Sequence, residues 1–212
     1  MEAERRTLIK ATRFVWPSSR RHTAHAPVAV SSETGCARAY VVHFLPPDKQ
    51  RNEEIMEISP IGTLHTPHTE LASMPIQPKG AKEVEGRALL LPEYAEGLKD
   101  LEGFSHVYLI YHFHKATRTE LTVVPFMDTR PRGVFSTRSP LRPAHIGISI
   151  VRVTRVEGNT LHFTGADMLD GTPLIDIKPY IQNFDQVEKS TSGWMTADEK
   201  TVSDKRSDDR FV

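Results

Sequence analysis

Cysteine is all but missing from this chain. Cys36 is the only one, so no disulfide can close within the chain and no thiolate metal site can be built. That usage fits a reducing, cytoplasmic setting, and Cys36 itself lies in a Ser/Ala/Arg-rich segment with no cysteine-protease context. Long apolar runs are missing too: none approaches the roughly 18–20 residues of a membrane span. The twelve glycines never fall into GxGxxG or P-loop spacing, and no GxSxG occurs. Classical dinucleotide binding, nucleotide hydrolysis and serine hydrolysis therefore lose support. Net charge is zero, with 27 basic against 27 acidic residues, which excludes a global polycation. There is no internal repeat.

What remains is enough for one globular domain with appendages. The 212 residues are 38% hydrophobic and 25% charged, a balance that buries a core and leaves a soluble surface. Residues 1–55 differ from the rest: they show no sustained period and carry nine Lys/Arg against six Asp/Glu. Their Arg- and Ser-rich character is that of a transit peptide, but Glu2 and Glu4 count against one. We expect 1–55 to be a disordered extension or the product of an upstream start, with the globular unit running over 56–187 from a first strand at Met56. Residues 188–212 read as a polar tail in which Trp194 and Phe211 are the available anchors.

Within the globular part the segments are short and rich in Val, Ile, Leu, Phe and Tyr. GRALLL (86–91), SHVYLIYHFH (105–114), ELTVVP (120–125), GVFST (133–137), IGISIVRVTRV (146–156), NTLHFTG (159–165) and LIDIK (174–178) read as strands. VEGNT (156–160) supplies a hairpin turn. One helix is expected at PEYAEGLKDL (92–101), where Pro92 suits a first turn and Gly103 follows the end. Many strands and one or two short helices predict a mainly β protein, a small single-sheet antiparallel barrel or pseudobarrel.

Three stretches carry chemistry. In TRSPLRPAHIGIS (137–149), Pro140 and Pro143 stiffen a loop that holds Arg138 and Arg142, and held guanidiniums suit carboxylate or phosphate. Six arginines at 130, 132, 138, 142, 152 and 155 occur between residues 130 and 155 without one acidic residue, a local argument for an anionic partner. In GADMLDGTPLIDIKPY (165–180), Asp167, Asp170 and Asp176 punctuate an Asp-Gly turn; Asp170 and the turn amides either shape the chain or face a ligand. In MPIQPKG (74–80), Gln77 is placed to hydrogen-bond a heterocycle. His106, His112 and His114 share a face of an ideal strand, but the surrounding spacing lacks the Gly and Glu of a cupin-type site, so no metal is expected.

Taken in this order, SPIGTLHTP (59–67), PIQ (75–77), LEGFSHVYLIYHFHK (101–115), RGVFSTRSPLRPAHIGIS (132–149) and DMLDGTPLIDIKPY (167–180) resemble the TsaA-like family, whose characterised members are tRNA methyltransferase O enzymes. The resemblance spans about 56–187. The closing DDRF (208–211) is similar to the end of short members that lack an added C-terminal domain. It implies a dimerising single-sheet barrel that binds S-adenosylmethionine at or near the subunit interface. The implied reaction is methyl transfer to the exocyclic amine of N6-threonylcarbamoyladenosine beside the tRNA anticodon. Carried over by position, Pro75, Ile76, Gln77, His114, Lys115, Arg138, Ile148, Leu169, Asp170, Gly171 and Thr172 would bind the cofactor. Asp170 or His145 would accept the amine proton, and Arg130, Arg132, Arg142, Arg152 and Arg155 would meet tRNA phosphates. Two positions depart from the family: Ile76 where Arg is frequent, and Ala144-His145 where Asn-Pro is usual. These keep open a same-fold enzyme with another RNA or small-molecule substrate, and the arginine-rich segment keeps open a non-enzymatic RNA-binding barrel.

Overall fold

The computed structural model describes residues 40–42 and 56–211. Cys36 and all of the expected N-terminal extension except Tyr40–Val42 lie outside the described residues. The strands are β1 (Tyr40–Val42), β2 (Met56–Ile58), β3 (Gly62–His65), β4 (Glu85–Leu90), β5 (His106–His112), β6 (Thr122–Val123), β7 (Arg132–Gly133), β8 (Ile146–Glu157), β9 (Thr160–Thr164) and β10 (Thr172–Pro179). Six of them close into an antiparallel barrel in the order β10-β3-β4-β9-β8-β5. Among the described residues β1 pairs with β2, and β6 with β7, outside the barrel.

Alternation explains which residues fill the barrel. Along β5 every second residue is buried, putting Val107, Leu109 and Tyr111 inside. The first half of β8 does the same with Gly147, Ser149 and Val151, and turns Ile148, Ile150 and Arg152 outward. Leu64, Ala88, Leu90, Leu161, Phe163 and Leu174 complete the interior from the other four strands. Burying such a Leu or Phe side chain contributes about 1.5–3 kcal/mol, so this ring of side chains carries most of the domain's stability. β8 and β9 join through a tight hairpin in which Gly158 takes φ +59°, a conformation free of strain only for glycine. At Gly147 the demand is space. A Cβ there would stand 2.6 Å from Cζ of Tyr111 and 2.9 Å from Cζ of Phe113, so the missing side chain lets both rings lie against β8.

Two elements differ from expectation. Residues 92–101 do not form one α-helix: Pro92–Leu98 and Leu101–Gly103 are separate 3₁₀ turns, broken at Asp100, which adopts a left-handed φ of 65°. Only Leu98 and Leu101 are buried there, too narrow an apolar stripe to hold a longer helix. GVFST is not a strand beyond Gly133. Val134–Ser136 is a 3₁₀ turn closed by side chains, with Ser136 Oγ donating to Gly133 O and Thr137 Oγ1 to Val134 O, both at 2.8 Å.

The C-terminal residues pack back on the loops around the barrel. α1 (Gln182–Asp185) follows β10, and α2 (Glu199–Asp204) lies against the 3₁₀ turn Pro78–Ala81. Asp198 caps α2 by accepting from Thr201 N–H at 2.8 Å. Trp194 Nε1 donates to Ser136 O at 2.8 Å, and Phe211 packs on Phe126 and on the small cluster of Val123, Val134 and Leu141. Ser207 exchanges hydrogen bonds with Met74, and Arg206 pairs with Pro75, so the tail fastens the loop that carries Gln77.

Candidate functional site

An open cavity of about 1550 Å³ runs from the mouth of the barrel, over the outer face of β8, to the C-terminal segment. Three chain segments that are far apart in sequence meet around it. Pro75, Ile76 and Gln77 line it from one loop, Arg138 and Ser139 from the Arg-Pro loop, and Asp167, Leu169 and Thr172 from the approach to β10. Arg138 Nη1 donates to Gln77 Oε1 at 2.7 Å and so ties the first two loops together. His114, Lys115 and Ile148 also line the cavity. Thr172 Oγ1 donates to Leu169 O at 2.7 Å and lies 3.4 Å from His114 Nδ1. Burial, then the neighbouring Lys115, lowers the His114 pKa, with Asp170 opposing, which favours a neutral ring.

The stiffness of the Arg-Pro loop has a specific source. Arg142 lies across it, Nη2 donating to Thr137 O at 2.6 Å and Nε to Ser139 O at 3.0 Å. The loop carbonyls are thereby satisfied by a side chain of the same loop, and Arg138 is presented on a rigid frame. His145 ends the loop with a left-handed φ of 48° and is 1% exposed. Its Nδ1–H donates to Pro140 O at 2.8 Å, and its ring meets that of His112 edge-on at 6.1 Å.

Several of the expected site residues are placed off the cavity or bonded elsewhere. Asp170 and Gly171 do not line the cavity. The Asp170 carboxylate accepts from Thr66 N–H at 3.1 Å and faces His65 Nδ1 at 3.2 Å. The turn amides are spent as well: Asp170 N–H donates to His68 O, Gly171 N–H to Leu64 O and Thr172 N–H to Leu169 O. The Asp-Gly turn is thus tied to β3 and the residues after it through its amides and through one carboxylate oxygen, Oδ1 of Asp170. His145, the other expected proton acceptor, is sealed beneath the loop and holds it in place. Of the arginines, Arg132 is bound to Asp128 at 2.6–2.7 Å and stacked 5.4 Å from the Trp194 ring, while Arg155 pairs with Glu157 at 2.7 Å. Arg142 is committed to backbone, whereas Arg130 and Arg152 are exposed, Arg152 on the cavity wall.

One group escaped the sequence reading as a site residue. The carboxyl of Asp167 lines the cavity and accepts from Ser149 Oγ–H at 2.7 Å; Ser149 Oγ is 3.0 Å from Tyr111 Oη, which donates to it in turn. Burial pushes Asp167 up to about 7, opposed by the Ser149 hydrogen bond and the charge of Arg138. Burial likewise raises Tyr111, so the phenol stays protonated. The signal was in the alternation. Ser149 is a polar residue at an inward position of IGISIV, and buried hydroxyls need partners.

Among the described residues no group of three or more His, Cys, Asp or Glu is arranged to hold a metal. Burial, then the neighbouring His145 and His114, lowers the His112 pKa to about 4. No helix among the described residues is long and apolar enough to cross a membrane.

A closed antiparallel barrel with a cavity at its mouth and no glycine-rich phosphate cradle defines a β-barrel ligand-binding domain, distinct from the open α/β nucleotide folds. Residues 63–186 match the tRNA-methyltransferase O N-terminal domain, well over half of the chain, and the chain belongs to that family. It is 48% identical over 152 residues to a probable S-adenosyl-L-methionine-binding protein of Pyrococcus abyssi, covering 72% of this chain and 83% of that one. It is 33% identical over 165 residues to the tRNA (adenine(37)-N6)-methyltransferase of Mus musculus, covering 74% of this chain and 37% of the mouse protein. Among solved structures, the crystal structure of TrmO from Pseudomonas aeruginosa superposes with a TM-score of 0.55 at 38% identity, over 66% of this chain and 62% of that one. The chain therefore spans less than two thirds of the solved bacterial chain and about a third of the mouse enzyme.

Proposed function

We propose that the protein transfers a methyl group from S-adenosyl-L-methionine to the exocyclic N6 amine of N6-threonylcarbamoyladenosine beside the tRNA anticodon. The observation that carries this reading is the 2.7 Å hydrogen bond from Arg138 to Gln77, which joins two of the resemblance's cofactor loops across a single cavity. The donor set fits the cofactor. A guanidinium suits its carboxylate, Ile76, Ile148 and Leu169 offer apolar surface to its adenine and methylene parts, and its lack of phosphates matches a site without a phosphate loop. S-adenosyl-L-methionine, when bound, supplies a methyl group on a positive sulfonium. Pro75, Ile76, Gln77, His114, Lys115, Arg138, Ile148, Leu169 and Thr172 hold it, with Asp170 and Gly171 shaping the turn behind them.

The target base lies in a single-stranded anticodon loop, so it can be splayed into the cavity without melting a duplex. Of the five arginines expected at tRNA phosphates, Arg130 and Arg152 are exposed and stand outside the Asp128 and Glu157 ion pairs, and they meet the phosphates. A second copy of the chain completes the site as a homodimer in the cytoplasm. Its support is the outward row of Ile148 and Ile150 beside the cavity, 47% and 40% exposed, with Phe135 at 77%. Ile76 and His145 support a second reading, the same chemistry on a different modified base, because both stand at or next to cofactor loops where the family usually has other residues.

Calorimetric titration of S-adenosyl-L-methionine into the full chain and into Arg138→Ala tests the assignment, followed by methylation of threonylcarbamoylated tRNA. Saturable binding that weakens at least tenfold in the variant is expected, with the fold intact by circular dichroism. Equal affinity in the two proteins would remove Arg138 from the site, and a cofactor-bound chain that leaves the tRNA unmethylated would favour the second reading.

A further inference from the structure

We propose that Asp167 is the general base of the reaction, held in place by Ser149 and Tyr111. The inference rests on the methyltransferase reading above and names a group that neither the family match nor the chain's other placements supply. The need for a base follows from the nucleophile. An N6 nitrogen bearing a carbamoyl group is planar and weakly basic, because its lone pair is delocalised into ring and carbonyl. It attacks only as its proton leaves. In the step, the N6–methyl bond forms while the methyl–sulfur bond breaks and its electron pair returns to sulfur. The N6 proton passes to a carboxylate oxygen of Asp167, and neutral Asp167 later releases it to water.

The two acceptors expected from the sequence do not face the cavity: Asp170 is turned to Thr66 and His65, and His145 is buried under Pro140. Asp167 does face it. One of its oxygens is held by Ser149 at 2.7 Å, Ser149 in turn by Tyr111 at 3.0 Å, and Tyr111 by the space that Gly147 leaves. That chain has one direction, from phenol to hydroxyl to carboxylate, and it ends on the only member able to take a proton. Tyr111 and Ser149 act through Asp167 and are positioning residues. Arg138, from the opposite loop, is the charged group facing the carboxyl, and its field favours the anionic form. A carboxyl pushed to about 7 is matched to proton transfer near neutral pH, being both ionised and basic enough to accept.

The test uses the full chain, S-adenosyl-L-methionine and an anticodon stem-loop bearing N6-threonylcarbamoyladenosine, with Asp167→Asn, Asp167→Glu and Ser149→Ala. Wild-type kcat should rise with pH through about 7. Asp167→Asn should keep cofactor affinity within about twofold while kcat falls by about 10²–10⁴-fold, and Asp167→Glu should recover part of the loss. Ser149→Ala removes a hydrogen bond that lowers the carboxyl's pKa, so its rising limb should move to higher pH. A readout independent of turnover is the carboxyl ¹³C resonance of Asp167 in the free protein, which should titrate near 7. Turnover of Asp167→Asn at the wild-type rate would overturn the base, as would a carboxyl titrating near the ordinary value of about 4. Lost cofactor affinity at unchanged kcat would make Asp167 a cofactor ligand instead. A wild-type chain that binds no cofactor and methylates nothing would sink the functional reading itself, a result separable from all of these.

Discussion

Replacing Asp167 by asparagine should make the protein more stable, by a margin that grows from about pH 4 and is complete above about 7. The carboxyl is pushed up to about 7 by burial, so the folded state holds a proton that the unfolded chain releases near pH 4. Below pH 4 both states carry the proton and the group costs nothing. Between 4 and 7 the unfolded chain gains by ionising while the folded one does not, and stability falls as pH rises. Above 7 the penalty is complete. Each pH unit of displacement is worth about 1.4 kcal/mol, which sets a ceiling of about 4 kcal/mol. Water entering the open cavity screens the carboxylate, and about 2–3 kcal/mol is the expected value. Asparagine keeps an acceptor for Ser149 and carries no charge, so it escapes the penalty. The assay is urea unfolding of both proteins at several pH values from 4 to 9. The midpoint difference should grow from near zero to about 1 M, taking a slope of about 2–3 kcal/mol per M. Asp128 and Asp208, whose pKa values are lowered by Arg132 and Arg210, lose their stabilisation in acid equally in both proteins and cancel from the difference. A difference that stays flat with pH, or an asparagine variant less stable at pH 9, would refute the buried-carboxyl account.

Gly147→Ala should cost about 1–3 kcal/mol of stability, because the new Cβ meets the Tyr111 and Phe113 rings and one must move. The Tyr111–Ser149 bond breaks with it, so an unchanged thermal midpoint would disprove the packing. Arg142 and Arg152 should separate cleanly. Arg142→Ala should lower stability and cofactor affinity by freeing the Arg-Pro loop, with no change in the salt dependence of tRNA binding. Arg152→Ala should leave stability alone and reduce the slope of log affinity against log salt by about 1, read by filter binding across a salt series. The reverse pattern would exchange their roles.

The barrel was readable from the sequence because period-two alternation is a direct record of which side chains face inward. β5 and β8 obey it over most of their lengths. Alternation failed at GVFST, where hydroxyls bonding back to carbonyls three residues earlier closed a turn that the apolar pattern concealed. The loops that meet around the cavity were legible as motifs, but the bonding partners of the side chains within them were not. Motif spacing identifies a carboxylate but not what its oxygens bond to, and Asp170 is occupied by Thr66 from 104 residues away. The same limit hid the fates of Arg132 and Arg155, the first paired with Asp128 four residues before it and the second with Glu157 two residues on along β8. Asp167 was missed for the converse reason. Its chemistry depends on Ser149 and Tyr111, neighbours that only the closed register of β5 and β8 brings together.

The hydrogen-bonding ring of the six-strand barrel is complete, and this governs how copies of the chain can meet. An open sheet invites a neighbour to add a strand, a mode driven by backbone groups that no single substitution removes. The closed ring leaves far less of such an edge, β8 pairing with β5 over Ile146–Arg152 and with β9 over Arg152–Glu157, so the proposed pairing across β8 draws on its outward side chains. Assembly then becomes adjustable one residue at a time. Because Ile148 belongs both to the outward row and to the cavity wall, a change there would retune association and ligand capture together.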